Sequence, residues 1–187
     1  LTALESRLRD LQRSVEEIRL RAAEASGVSI QLMTLPAVTC CMRRCMGHTV
    51  AEKYADMYDF YGACIRRGCV LSGEPIFTVL ERQDYLNGCI GDEPYPYWVC
   101  IPVRPESAPA DAVVLPACRV LSALHYGDYS GLDEVWLTLG REVKARGMTP
   151  AGFPRVLGIV APYTGREIEA RRYCSRIVLP VEEPACE

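Results

Sequence analysis

The chain holds ten tyrosines against three phenylalanines, and their spacing sets the first chemical expectation. Tyr54, Tyr58 and Tyr61 follow one another at i, i+4 and i+7, which places them along one stripe of a helix. Tyr97 and Trp98 stand in an apolar run leading to Val103, Tyr126 closes another such run, and Trp136 falls inside a second helical pattern. Aromatic faces stack on flat apolar molecules and attract cations, and a buried tyrosine hydroxyl needs a partner. Core packing explains any one of these rings as readily as a ligand does. As a set so rich in hydroxyls, they point to a half-wet, aromatic-lined binding site. Glu81 ends the run Pro75–Leu80 and is the nearest acid in the first half, although a solvated strand-end charge describes it equally well. The candidate ligand-binding set is therefore Tyr54, Tyr58, Glu81, Tyr97, Trp98, Tyr126 and Trp136.

Covalent chemistry has weaker support. There is no G-x-S-x-G elbow and no P-loop, and His48 and His125 are the two histidines. His125 alone in a strand is more often structural than catalytic. The enzyme alternative is a small-molecule hydrolase with Glu81 as general base and Tyr97 or Tyr126 orienting water; no catalytic residue is assigned. The ten cysteines include no C-x-x-C pair, and several fall in apolar strand patterns where a reduced thiol behaves as a small hydrophobe. Cys40, Cys41 and Cys45 stand apart, because Arg43 and Arg44 beside them favour thiolates that react or hold a soft metal. Successive strand residues point to opposite faces, so Cys41 and Cys45 share a face while Cys40 turns away. Two thiols make an incomplete site, and neither metal nor cofactor is assigned.

A net charge of -3 argues against a general nucleic-acid-binding surface, and no apolar run reaches the length of a membrane span. The cysteines and the lack of a signal pattern suit a cytoplasmic protein. Leu1, Leu4, Leu8, Leu11, Val15, Ile18, Ala22 and Ala25 recur at alternating spacings of three and four, the seam of a coiled coil. Residues 1–26 are thus expected to form a helix that dimerises the chain, already under way at Leu1, as in a fragment of a longer protein.

Two similar halves follow, about 28–104 and 110–184. Val28–Met46 reads as a strand interrupted at Pro36, and Thr49–Arg67 as a helix with Thr49 and Glu52 as a capping box. Pro75–Leu80 and Tyr95–Val103 read as strands, and a linker rich in Pro, Ala and Ser follows. Asp111–Tyr126 repeats the strand and Ser130–Arg146 the helix, with Ser130 as its cap. Leu35-Pro36-Ala37 returns as Leu115-Pro116-Ala117, Gly73-Glu74-Pro75 as Gly152-Phe153-Pro154, and the strand at Val99–Val103 as Ile177–Val181. The expectation is an α+β fold of duplicated β-α-β-β units paired about a pseudo-twofold axis. A groove between the two helices would hold the site, since clefts at such interfaces take small molecules.

With Leu115-Pro116-Ala117, the run Tyr126-Gly127, Tyr129, Leu132, Trp136, and the closing Pro180-Val181, residues 28–184 resemble the GyrI-like effector-binding domain. The heptad helix resembles the dimerisation helix that joins this domain to a DNA-binding head in MerR-family regulators. The resemblance implies a multidrug-sensing transcription regulator, in which an aromatic pocket takes planar lipophilic or cationic effectors and signals to DNA through a head that is absent here. It also implies a glutamate in the closing strands to meet the ligand's charge. Trp98 and Arg176 stand where that acid is expected, a departure that bears on cation selectivity.

Overall fold

Two proline-bearing corners pull the fold together. In the computed structural model, which describes residues 28–82, 84, 93–161 and 168–183, the elements run β1 (Ile30–Leu35), β2 (Val38–Gly47), α1 (Val50–Arg66), β3 (Phe77–Leu80), β4 (Tyr95–Pro102), β5 (Val113–Leu115), β6 (Cys118–Tyr126), α2 (Leu132–Ala145), β7 (Thr149–Pro150), β8 (Arg155–Val160) and β9 (Cys174–Glu182). The heptad helix expected over 1–26 lies outside the described residues. Each long strand read from the sequence is two strands, because Pro36 and Pro116 lack the N–H a continuous ladder needs. The two corners face each other. The register that pairs Leu35 with Cys118 continues beyond them into the pair Val38 with Leu115.

The sheet order is β1-β6-β9-β8-β3-β4-β2-β5, with β7 on β9, and every ladder is antiparallel. This order is symmetric about the β8–β3 pair. On either side come a closing strand (β9, β4), an opening strand (β6, β2) and a short edge strand (β1, β5). Because β1 runs into β2 and β5 into β6, the two ends of the curled sheet are drawn together at the Leu-Pro-Ala corners. The result is an α+β architecture, a curled antiparallel half-barrel with two helices.

Both helices pack on one face of this sheet. Met57, Phe60 and Cys64 of α1 and Trp136, Leu139 and Val143 of α2 join Tyr97, Val99, Ile101, Leu121, Ala123, Ile177 and Leu179 in a single apolar cluster spanning both halves. Each fully buried aliphatic side chain there contributes about 1.5–3 kcal/mol, so neither half is complete without the other. Thr49 caps α1 with the expected capping box to Glu52, and Gly68 follows the helix at φ 83, a left-handed conformation that glycine adopts without strain. α2 differs from the expectation at its start. A 3-10 turn over Tyr129–Gly131 precedes it, so Gly131 rather than Ser130 is its N-cap, and no side chain caps it. Among the described residues no helix is long and apolar enough to cross a membrane.

Candidate functional site

Strand alternation divides the expected site residues between two faces. On the helix face, Tyr97 is fully buried and its hydroxyl donates to Asp56 Oδ2 of α1 at 2.5 Å. Burial, then the bond to Asp56, pushes that phenol well above its ordinary range. Trp136 is 3% exposed within the core. Tyr54 meets Tyr129 edge-on with ring centroids 5.9 Å apart, and Tyr129 meets Tyr173 at 6.3 Å. Lys53 Nζ lies 4.5 Å from the Tyr95 ring and 5.7 Å from the Tyr97 ring, and donates to the Tyr95 hydroxyl. Burial, with Arg82 nearby, pushes the Lys53 ammonium down to about 8. Tyr58 points outward, 45% exposed. On this side a chain of rings crosses the two halves, Tyr54 of α1 against Tyr129 and Tyr129 in turn against Tyr173.

The other face carries a second set. Arg44, Trp98, Val79, Arg155 and Val178 stand opposite one another in one row across β2, β4, β3, β8 and β9. Met42, Cys100, Phe77, Leu157 and Arg176 form the next row. Cys40, Phe77 and Cys100 are buried at the centre of this face, flanked by Val38, Met42, Val79, Trp98, Leu115 and Leu157, with no described helix residue among them. Here the curl leaves a pocket of about 70 Å³. The corner Leu35-Pro36-Ala37-Val38 forms one wall, Phe77, Pro102 and Leu157 form the other, and Glu74, Pro75 and Arg155 border it. Pro36 has no N–H and Ala37 almost no side chain, so the corner presents a low apolar wall.

Glu81 and Trp98 belong to this face. Glu81 Oε2 accepts from Arg44 Nε at 3.0 Å and Nη2 at 2.7 Å, and Oε1 accepts the Trp98 indole N–H. Those bonds, Arg44 first, hold the Glu81 carboxyl below the usual carboxylate range. Both of its oxygens are engaged, which makes it a poor base and a poor counter-ion for a ligand cation. Tyr126 alternates with Val120, Ser122 and Leu124 on β6, which sets it on this face as well, half-buried. Arg155 and Arg176 lie here too: the Arg155 guanidinium is 6.0 Å from the Phe77 ring, and Arg176 Nη1 donates to Met33 Sδ at 3.0 Å. His125 meets the backbone oxygen of Asp128 at the head of the turn before α2, a structural place.

The cysteines follow the alternation expected of them. Cys41 and Cys45 lie on the helix side, while Cys40 joins Cys100 on the other face. The eight described cysteines are free thiols; Cys89 and Cys186 lie outside the described residues. Cys41 Sγ is 3.9 Å from Cys69 Sγ, and burial with the neighbouring thiols pushes Cys41 up to about 12. Burial also raises Cys45 despite Arg43, so the expected activation by arginine does not produce a ready thiolate there. Cys40 is lowered, first by its hydrogen bond with Cys100 and also by Arg155. Among the described residues no cluster has the geometry of a metal site.

Phe77, Leu157 and Arg155 were not among the residues expected from sequence, and Arg176 was noted only where an acid was sought. The adjacency of Tyr97 and Trp98 was the available signal, because neighbours in a strand cannot share one face.

No family model matches the sequence, and no curated protein does. Solved structures do match. The EcmrR C-terminal domain superposes with a TM-score of 0.69 at 18% identity, covering 84% of this chain and 99% of that domain. EcmrR in its DNA complex matches at 0.69 and 15%, over 97% of this chain and 69% of its own. A hydrolase from Listeria innocua matches at 0.52 and 11%, over 89% and 98%. SAV2435 bound to tetraphenylphosphonium matches at 0.50 and 11%, over 82% and 94%. At these identities the likeness is one of fold: the chain shares the curled sheet and two helices of the EcmrR C-terminal domain, consistent with a GyrI-like fold.

Proposed function

We propose that the chain is the effector-binding part of a MerR-type transcription regulator, and that its effector site is the groove on the helix-free face. The observation that carries this reading is the pocket between the Leu35–Val38 corner and Phe77 and Leu157, at the centre of a face that also bears Trp98, Glu81 and Tyr126. An open apolar pocket of this size, with a few polar groups on its border, takes one ring of a lipophilic molecule whose remainder lies along the face. Stacking on an indole asks little of ligand geometry, so one groove can serve several flat effectors. Tyr54, Tyr97 and Trp136 then hold the framework, and Tyr58 lies outside the site.

In this reading the two halves are copies of one β-α-β-β unit, and residues 1–26 form the coiled coil of a cytoplasmic homodimer. That helix would carry the occupancy of the groove to a DNA-binding head in the full regulator. The solved complex of EcmrR with DNA supports this arrangement. Calorimetric titration with planar lipophilic dyes tests the site. Saturable binding should weaken at least about tenfold in Trp98→Ala and in Leu157→Ala and stay unchanged in Tyr58→Ala. Binding indifferent to both groove variants contradicts the assignment.

The hydrolase from Listeria innocua, of similar fold, favours an enzymatic second reading with Glu81 as base. The bonds of Glu81 to Arg44 and Trp98 weigh against it. Turnover of an electrophilic small molecule, lost in Glu81→Gln, is the result that would establish it.

A further inference from the structure

We infer that the groove selects an anionic effector, a lipophilic molecule bearing one carboxylate, sulfonate or comparable negative charge, held by Arg155 and Arg176. The inference rests on the reading of this groove as the effector site. On β8 and β9, Arg155 stands opposite Val178 and Leu157 opposite Arg176. The two arginines are therefore diagonal neighbours on one face, a separation of about 7–8 Å in an antiparallel pair. Among the described residues neither makes an ion pair with a carboxylate. Both are only half-exposed. Two cationic side chains on one face, partly withdrawn from water, lack the anionic partner that burial calls for.

What they do touch is weak. Arg176 donates to a thioether sulfur, Met33 Sδ, a poor acceptor that an oxyanion would readily replace. The Arg155 guanidinium lies over the Phe77 ring, 6.0 Å from its centroid, beside the apolar pocket. The acids of the groove do not offset them. Glu81 is bonded to Arg44 and Trp98, and Glu74 is exposed at the border. A ligand anion between the two guanidinium forks gains charge-assisted, geometrically matched hydrogen bonds, while its apolar body covers Leu157 and Phe77. A cation meets two arginines, and the carboxylate that borders the pocket, Glu74, is exposed and screened by solvent.

Tetraphenylborate and tetraphenylphosphonium separate these outcomes, since they match closely in size and shape and differ in charge; the borate has no oxygen to accept a hydrogen bond, so the pair reads the charge selection alone. Titrated into the whole chain at low ionic strength, tetraphenylborate should bind at least about tenfold more tightly, equivalent to about 1.4 kcal/mol. The preference should shrink in Arg155→Gln and in Arg176→Gln and vanish in the double variant. Equal or tighter binding of the phosphonium, weakened by Leu157→Ala, overturns the anionic selection and leaves the groove standing. A borate preference that survives the double variant overturns the arginine assignment. Binding of neither ion, or binding unmoved by Leu157→Ala, overturns the groove reading and this inference with it. The comparison of the two ions on the unaltered chain needs no variant to fold.

Discussion

Tyr97 and Trp98 are adjacent in sequence and serve opposite faces of one sheet. Tyr97 is sealed under α1 with its hydroxyl on Asp56, and Trp98 turns its indole to Glu81 on the helix-free face. One residue closes the framework and the next borders the proposed groove. This division follows from the two-residue period of a strand.

The Tyr97–Asp56 bond ties β4 to α1 and should be costly to break from one side. Asp56→Ala leaves a buried hydroxyl without its acceptor, at a cost of about 1–3 kcal/mol. Tyr97→Phe removes the donor while Asp56, only partly buried, regains water, so it should cost less. Urea unfolding checks both, with the midpoint falling further for Asp56→Ala and the slope unchanged. Equal midpoints for Asp56→Ala and the parent chain would mean the bond contributes nothing.

Lys53 gives the protein a pH signature. Its ammonium is lowered to about 8 from 10.5, so between these values the unfolded chain binds more protons than the folded one. Stability from this group therefore rises as pH increases from about 8 to about 10.5, and the buried charge is a burden below that window. Cys41, raised from 9.0 to about 12, acts in the opposite sense above pH 9, but it is common to parent and variant. Lys53→Met should thus be more stable than the parent at pH 7, and the difference should shrink as pH rises through the window. A less stable Met variant at pH 7 would show that the contacts of Lys53 with Tyr95 and Tyr97 outweigh its desolvation.

Glu81 restrains Arg44 and the Trp98 indole together. Glu81→Gln removes the ion pair but keeps an acceptor for the Trp98 indole. The variant should fold with nearly parental stability, because half-exposed ion pairs contribute about 0–1 kcal/mol. It should bind tetraphenylborate several-fold more tightly, as Arg44 becomes a third unpaired cation on the same face. Weaker borate binding in this variant would show that the carboxylate itself meets the ligand.

The sequence carried the frame of this fold further than its site. The echo of Leu35-Pro36-Ala37 in Leu115-Pro116-Ala117 marked the corners that face each other in the sheet, and Thr49 with Glu52 marked the start of α1. The start of α2 was misplaced because Ser130 falls within a 3-10 turn that delays the helix. The aromatic residues were gathered into one site because abundance and hydroxyl content say nothing about which face a ring occupies. Alternation within β4 does say so. The neighbourhood of Arg155 and Arg176 depends on the register of β8 against β9, which shifts between Gly158 and Val160, and nothing local in the sequence sets that pairing.

The two tryptophans of the chain stand on the two faces, and this permits the most direct test of the central claim. Trp98 borders the proposed groove, and Trp136 is buried among the helices. Titration of tetraphenylborate into Trp136→Phe, which leaves Trp98 as reporter, should quench or shift the tryptophan emission saturably. The same titration of Trp98→Phe should leave the emission of Trp136 unchanged. A saturable response from Trp136 with Trp98 silent would place the effector under the helices and contradict the account.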